Sequence, residues 1–136
     1  MNRILGIALI VFALAIAIIP TFTDCQSQGK AISLPNGSTV PMKCHWTGVG
    51  EIATGVPLLV VGAMMTVSRR KGNLRILGGM GGILGVFAIL LPTQLIGVCQ
   101  TSMLCHTVMQ PSLVLLGSLA IVCSGLAMVL SRKASD

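Results

Sequence analysis

Acidic and aromatic side chains are nearly missing from this sequence. Its 136 residues include three acidic residues, one tryptophan, three phenylalanines and no tyrosine, and only 9% of them are charged. A soluble domain carries about a quarter charged residues. So few carboxylates exclude a paired-carboxylate active site. The sequence also has no Ser–His–Asp set and no phosphate-binding glycine loop outside an apolar run, so ordinary hydrolase and nucleotide chemistry is not indicated.

Apolar residues are in excess and make up 54% of the sequence. A helix of about 20 apolar residues crosses a bilayer. Four runs approach this length, at positions 4–22, 50–67, 76–98 and 108–130. We therefore predict an all-α membrane protein with four transmembrane helices in a single domain, 1–136. The first run could also be a signal peptide, but no small-residue cleavage site follows it, so we expect it to be retained.

Basic residues predict the orientation of these helices. Lys30 and Lys43 lie at one end of the predicted bundle, and the other basic residues lie at the opposite end: Arg3, Arg69, Arg70, Lys71, Arg75, Arg132 and Lys133. By the positive-inside rule, the second group and both termini are cytoplasmic. The net charge of +6 is thus a topology signal and does not indicate nucleic-acid binding. It could also attract anionic lipid.

The chain has the pattern of an internal duplication. Three motifs occur twice in the same order: Arg-Ile-Leu-Gly at 3–6 and 75–78, Cys-Gln at 25–26 and 99–100, and Met-x-Cys-His at 42–45 and 103–106. The order predicts two homologous two-helix hairpins, repeat one at 1–72 and repeat two at 73–136. Parallel repeats imply a pseudo-two-fold axis along the membrane normal.

Four of the five cysteines lie in the segments predicted on the outer side, whereas Cys123 falls inside the fourth run and is expected to be inert. An even set of cysteines on an oxidising face indicates disulfides. Of three possible connectivities, the repeat favours Cys25–Cys44 and Cys99–Cys105. The alternative is a membrane thiol–disulfide oxidoreductase, because the architecture resembles a bacterial disulfide-bond oxidase of the DsbB type. Neither pair, however, has the Cys-x-x-Cys spacing of a fast redox couple.

The two histidines recur with the cysteines and form a second candidate site. Methionine, cysteine and histidine are ligands suited to copper, zinc or haem iron. His45 and His106 could be axial ligands of one haem or share a metal, and Met42 and Met103 could add thioether ligands. The alternative is that both histidines are interfacial polar residues.

Glu51 is the only acidic residue inside an apolar run. A charge in a spanning segment is costly and is a functional hypothesis by default. Glu51 could orient a histidine, bind a cation or relay a proton. Alternatively, it lies among lipid headgroups near a helix N-terminus, where negative charge is favoured.

Two local patterns predict packing and a turn. Gly78, Gly82 and Gly85 give the third run a small-residue face, which allows close helix approach in lipid. That face could pack within the bundle or form a homo-oligomer. The stretch Leu-Pro-Asn-Gly-Ser at 34–38 is a turn signature and predicts a short hairpin in the first outer loop.

The segments MKCHWT at 42–47, followed by Glu51, and CHTVM at 105–109 resemble a bacterial family of membrane proteins, domain of unknown function 4418. The resemblance covers nearly the whole chain and implies four spanning helices in a bacterial inner membrane. It also implies an accessory role beside FtsX-like ABC permeases, in export or in metal or haem handling, and it supplies no catalytic residues. A non-enzymatic permease-associated subunit is therefore the first hypothesis. The oxidoreductase is the second, and a purely structural membrane module is the third.

Overall fold

The computed structural model describes residues 2–100 and 104–133. Its main elements are four long helices, α1 (Asn2–Thr23), α2 (Lys43–Val67), α3 (Lys71–Leu90) and α4 (Gln110–Lys133). All four are long and apolar enough to cross a membrane, α3 and α4 together with short π-helical turns that adjoin them. The prediction of an all-α membrane protein with four spanning helices is confirmed.

Each helix shows lipid-compatible side chains on its outer face. On α1, Ile4, Val11 and Ile18 are exposed at seven-residue intervals, whereas Leu9 and Ile16 are fully buried. Isolated exposed apolar residues are normal in water, but continuous apolar stripes on every helix are typical of a surface that faces hydrocarbon. The protein is thus built for a bilayer environment.

Helices pack most extensively within two hairpins, α1 with α2 and α3 with α4. Glycines allow the backbones to approach. A Cβ atom added at Gly62 of α2 would lie 3.0 Å from the backbone nitrogen of Ile10 and 3.1 Å from the carbonyl oxygen of Gly6. Such distances are tighter than most contacts of a Cβ atom, so glycine at position 62 allows α1 and α2 to pack closely.

The predicted glycine face of α3 faces α4 within the bundle at two of its three positions. A Cβ atom at Gly78 would lie 2.9 Å from the carbonyl oxygen of Ser124, and one at Gly85 would lie 3.0 Å from that of Gly117. Gly82 has open space around its Cβ position within the described residues. Packing inside the hairpin therefore accounts for Gly78 and Gly85, and the homo-oligomer stays a prediction.

The second half of the chain contains π-helical turns that the first half lacks among its described residues. One, Leu91–Leu95, extends α3, and the other, Cys105–Met109, leads into α4. Gly55 packs on α1 in the way that Gly117 packs on α3. These two glycines are 62 positions apart in the sequence, whereas His45 and His106 are 61 positions apart. A π-helical turn accommodates one extra residue, so it would account for this shift between the two predicted repeats. The duplication itself stays a prediction.

Helix α2 begins seven residues before the predicted run. Its first turn is polar in sequence and includes Cys44 and His45. A search for apolar runs stops at such a segment, but the fold buries Cys44 and Thr47 completely against neighbouring elements. Tertiary burial therefore extends the helix, and it places both residues of the Cys-His motif on a rigid element.

The predicted hairpin in the first outer loop is present. Strands β1 (Ile32–Ser33) and β2 (Thr39–Val40) pair antiparallel, with Ile32 opposite Val40. Gly37 adopts a positive φ of 78° in the turn, a conformation that favours glycine. The hairpin is exposed along its length.

Candidate four-sulfur site

Four cysteines from four separate segments meet at one end of the bundle. Cys25 follows α1, Cys44 lies in the first turn of α2, Cys99 follows α3, and Cys105 begins the π-helical turn before α4. Their four Sγ atoms all lie within 4.8 Å of one another. The two hairpins therefore supply two sulfur atoms each to a single cluster, which we call the four-sulfur site.

Close sulfur contacts join the two hairpins. The Sγ atom of Cys44 lies 2.9 Å from Sγ of both Cys99 and Cys105, and Sγ of Cys25 lies 3.5 Å from Sγ of Cys105. A disulfide bond is about 2.05 Å long, so these are contacts between thiols. The predicted pairs Cys25–Cys44 and Cys99–Cys105 also lie within the cluster, and that pairing stays a prediction.

The four-sulfur site is closed to solvent on most sides. Cys25, Cys44 and Cys105 are buried, and Cys99 is half-buried. The backbone N–H of Cys99 donates a hydrogen bond to Sγ of Cys44 at 3.3 Å. An N–H group that points at sulfur stabilises negative charge there, so this contact is suited to a metal-bound sulfur.

A buried hydrogen bond fixes the segment that carries Cys99. Thr47 of α2 is fully buried, and its hydroxyl donates to the carbonyl oxygen of Gly97 at 2.7 Å. Gly97 has a positive φ of 77°, which turns the chain after α3 back toward the cluster. Thr47 thus links the first hairpin to the loop that delivers a sulfur from the second.

The thiols outside the spanning helices differ in acidity. Burial raises the pKa of the Cys25 thiol to about 11. Burial also opposes ionisation of Cys99, but hydrogen bonds from Cys44 outweigh it and hold the pKa of the Cys99 thiol below its ordinary value. Cys99 is therefore more readily ionised than Cys25.

Helix termini favour negative charge in the four-sulfur site. Cys44 lies in the first turn of α2, and Cys105 opens the last spanning segment. The N-terminal end of a helix carries a partial positive charge that stabilises anions. This contribution offsets part of the charge of a thiolate cluster in a region of low dielectric constant.

His45 is held by an aspartate that the sequence patterns did not single out. Its Nδ1 atom lies 3.1 Å from Oδ2 of Asp24. Asp24 is only 9% exposed, and its Oδ1 atom accepts a hydrogen bond from the backbone N–H of Ser27 at 2.7 Å. Burial would raise the pKa of Asp24, but the hydrogen bonds from Ser27 and His45 outweigh it and lower that pKa below 3.8.

The other residues of the predicted histidine site are not grouped with the four sulfurs in the described part of the chain. His106 is exposed, and Met42 is half-buried against the core. Met103 lies outside the described residues. Within the described part of the chain, the group of convergent ligand atoms comprises the four sulfurs and neither histidine. Ligation by His45 and His106 stays a prediction.

Glu51 is fully buried inside the bundle and not at its surface. It follows Cys44 by two helical turns on the same face of α2, which places it about 10 Å deeper along the helix. The hydroxyl of Thr54 lies 3.4 Å from its Oε2 atom, and its Oε1 atom has no hydrogen-bond partner among the described residues. Its role as a cation ligand, histidine partner or proton carrier stays a prediction.

Comparison with known proteins places the chain by its sequence. Residues 4–130 match the sequence model of the family described as Domain of unknown function (DUF4418). The chain belongs to this family. No curated protein and no solved structure matches it. The resemblance of the Cys-His segments to DUF4418 is thus confirmed over nearly the whole chain.

Convergence of all four cysteines in this DUF4418 protein was not predicted, because the repeat pattern favoured pairs within each hairpin. A signal was nevertheless present. Both repeats place Cys-Gln and Cys-His at the same predicted membrane face, and a central axis would bring four such segments together. The Asp24–His45 contact had a weaker signal, the position of Asp24 directly before Cys25.

Proposed function

We propose that this DUF4418 protein binds one soft or borderline metal ion through Cys25, Cys44, Cys99 and Cys105. The observation that supports the proposal is that the four Sγ atoms lie within 4.8 Å of one another, with Sγ of Cys44 at 2.9 Å from two of them. Four sulfurs at about 2.3 Å from a tetrahedral zinc ion are about 3.8 Å apart. A separation of about 3.8 Å lies between 2.9 Å and 4.8 Å. Small side-chain movements are therefore enough to bring the sulfurs into a tetrahedral arrangement.

The chemistry of the four-sulfur site favours zinc or copper. Thiolates are soft ligands that select Zn²⁺ and Cu⁺. As each sulfur binds the ion, its thiol proton leaves to solvent, so a tetrathiolate complex releases four protons. Haem iron takes axial ligands from the two faces of its macrocycle. Four sulfurs that lie within 4.8 Å of one another leave no space for the macrocycle between them.

A metal held by four protein sulfurs has no open coordination position. Structural zinc sites are closed in this way, whereas catalytic sites keep one position for water or substrate. We therefore propose a non-enzymatic role, in which the ion joins the two hairpins or is handed to a partner.

The metal proposal is tested by anaerobic purification in detergent with Zn²⁺ supplied, followed by metal analysis. We expect about one ion per chain, and a strong loss in Cys44→Ser. Cys123→Ser is the matched control, because Cys123 is a half-buried cysteine of α4 outside the four-sulfur site. Equal metal content in the wild type and Cys44→Ser would contradict the proposal.

We further propose that the protein lies in a bacterial inner membrane with the four-sulfur site outside and the basic turn at 69–75 in the cytoplasm. The asymmetry of its basic residues supports this orientation. Labelling of a cysteine introduced at Gly37, in the exposed hairpin, by a membrane-impermeant maleimide in intact cells tests it. Labelling that occurs only after lysis would indicate the opposite orientation, with the four-sulfur site in the cytoplasm.

An association with an FtsX-like ABC permease rests on the family resemblance, and it fits a small subunit whose mass is mostly spanning helices. Mild-detergent purification of the tagged protein from its own cells, with mass spectrometry of the bound proteins, tests this part. Recovery of the chain without any permease subunit would count against it.

Thiol–disulfide exchange is a second candidate, favoured by one contact pattern. Sγ of Cys44 touches both Cys99 and Cys105, so a thiolate at one cysteine could attack a disulfide formed by the other two. The attack forms one S–S bond and releases one thiolate, and net oxidation needs an external two-electron acceptor such as a quinone. Thiol trapping in cells tests it, because four cysteines that never change redox state would exclude exchange.

A further inference from the structure

An apolar groove lies between α2 and α3, away from the four-sulfur site. Its volume is about 670 Å³, and its walls are apolar side chains from both helices: Val56, Val60, Val61 and Met64 of α2, and Ile76 and Met80 of α3. The groove exists because α2 and α3 belong to different hairpins, which pack less closely on each other than the helices within each hairpin do.

The length of the groove matches one leaflet of a bilayer. It extends along α2 from Val56 to Ser68, about 18 Å at 1.5 Å per residue. Half of the hydrocarbon core of a bilayer is about 15 Å thick. A groove of this length would reach from the middle of a bilayer to the headgroup level at the α2–α3 turn.

The mouth of the groove is polar and lies next to a basic segment. Ser68 and Asn73 line this end. Arg69 and Arg70 are exposed in the connection between α2 and α3, and Arg75 is exposed on α3. The acidic residues of the described ranges, Asp24 and Glu51, belong to the opposite end, where the four-sulfur site lies. Basic pockets between spanning helices, with apolar walls below them, are suited to lipids that have an anionic headgroup.

We propose that the α2–α3 groove is a binding site for an anionic phospholipid, with its phosphate held at the arginine turn and one acyl chain between Val60 and Met80. Arginine binds phosphate oxygens through paired N–H groups, which gives the headgroup end its specificity.

The test reconstitutes the full chain in nanodiscs with equal amounts of phosphatidylglycerol and phosphatidylcholine. Retained lipid is then counted by native mass spectrometry. We expect phosphatidylglycerol to be retained preferentially, and Arg69→Gln/Arg70→Gln to lower that preference on the order of tenfold, because each cation attracts anionic lipid. Arg132→Gln/Lys133→Gln is the control, since it removes the same charge from the exposed end of α4. Equal losses in the two double variants would overturn the proposal.

A second pair of variants tests the apolar part of the site. Val60→Trp fills the groove, whereas Val129→Trp adds the same ring to an exposed position of α4. We expect only Val60→Trp to lower lipid retention. A photo-crosslinking side chain at position 60 adds an independent readout, in which a phospholipid adduct supports the proposal. Capture of a second copy or of another protein's helix at that position would contradict it.

Discussion

The substitution Thr47→Val should loosen the four-sulfur site by removing one hydrogen bond between the hairpins. Thr47 is fully buried, and its hydroxyl donates to the carbonyl oxygen of Gly97 at 2.7 Å, two residues before Cys99. Valine has nearly the same shape but cannot donate. The carbonyl oxygen of Gly97 therefore loses its partner while the apolar packing is kept.

The magnitude follows from the burial of the two groups. A buried acceptor left unsatisfied costs about 1–3 kcal/mol. Gly97 is half-buried, so solvent can satisfy part of the carbonyl, and we expect a loss of about 1–2 kcal/mol. If the substitution raises the free energy of the zinc-bound protein by this amount relative to the zinc-free protein, the dissociation constant for zinc rises roughly 5- to 30-fold.

Both quantities are measurable in detergent, the first by denaturant unfolding and the second by competition with a zinc chelator. Thr66→Val is the matched control. The hydroxyl of Thr66 donates to the carbonyl of Ala63 within α2 itself, at 2.6 Å, so its loss should change zinc affinity less than twofold. Equal effects of the two substitutions on zinc affinity would refute the role assigned to Thr47.

Three further predictions concern the residues around the site. Gly97→Ala should destabilise the fold by about 1–2 kcal/mol, because a positive φ of 77° is strained for alanine, whereas the added Cβ meets no atom of the described residues within 4 Å. Gly125→Ala, at a position of α4 with open space among the described residues, should not destabilise it in the same unfolding assay. In metal-free, reduced protein at pH 8, mass spectrometry should find Cys99 alkylated before Cys25. Hydrogen bonds lower the pKa of Cys99, whereas burial raises that of Cys25 to about 11. Alkylation of Cys25 first would contradict this difference in acidity. Because the folded pKa of Asp24 is lowered, its stabilising effect is full above its ordinary pKa of 3.8 and fades as pH falls through the folded value. The unfolding temperature of the wild type should therefore exceed that of Asp24→Asn at pH 6 by more than at pH 3, and a constant difference would show that the carboxylate charge plays no part.

The spanning helices were predictable because membrane insertion depends on a local property, the length of an apolar run. The start of α2 was not, since the turn around Cys44 and His45 is polar and becomes helical only through burial against other elements. The same limit applies to the π-helical turn at Cys105–Met109. No local sequence pattern predicts that a helix contains one extra residue in a π-helical turn.

The cysteines illustrate what repeat patterns can and cannot predict. The duplication predicts that Cys25, Cys44, Cys99 and Cys105 share one end of the bundle, and the structure places them there. It cannot predict which neighbours each sulfur touches, because side-chain direction depends on how the two hairpins dock. Docking brings Cys44 of one hairpin against two cysteines of the other. Pairing by sequence proximity overlooks this arrangement.

X-ray absorption at the zinc edge identifies the atoms bound to the metal, and so shows whether the four sulfurs hold one ion. The sample is the wild-type protein, purified anaerobically in detergent with Zn²⁺ and washed free of unbound metal. We predict four sulfur neighbours at about 2.3 Å and no nitrogen or oxygen ligand. A first shell of nitrogen and oxygen at about 2.0 Å, or no retained zinc at all, would contradict the metal proposal.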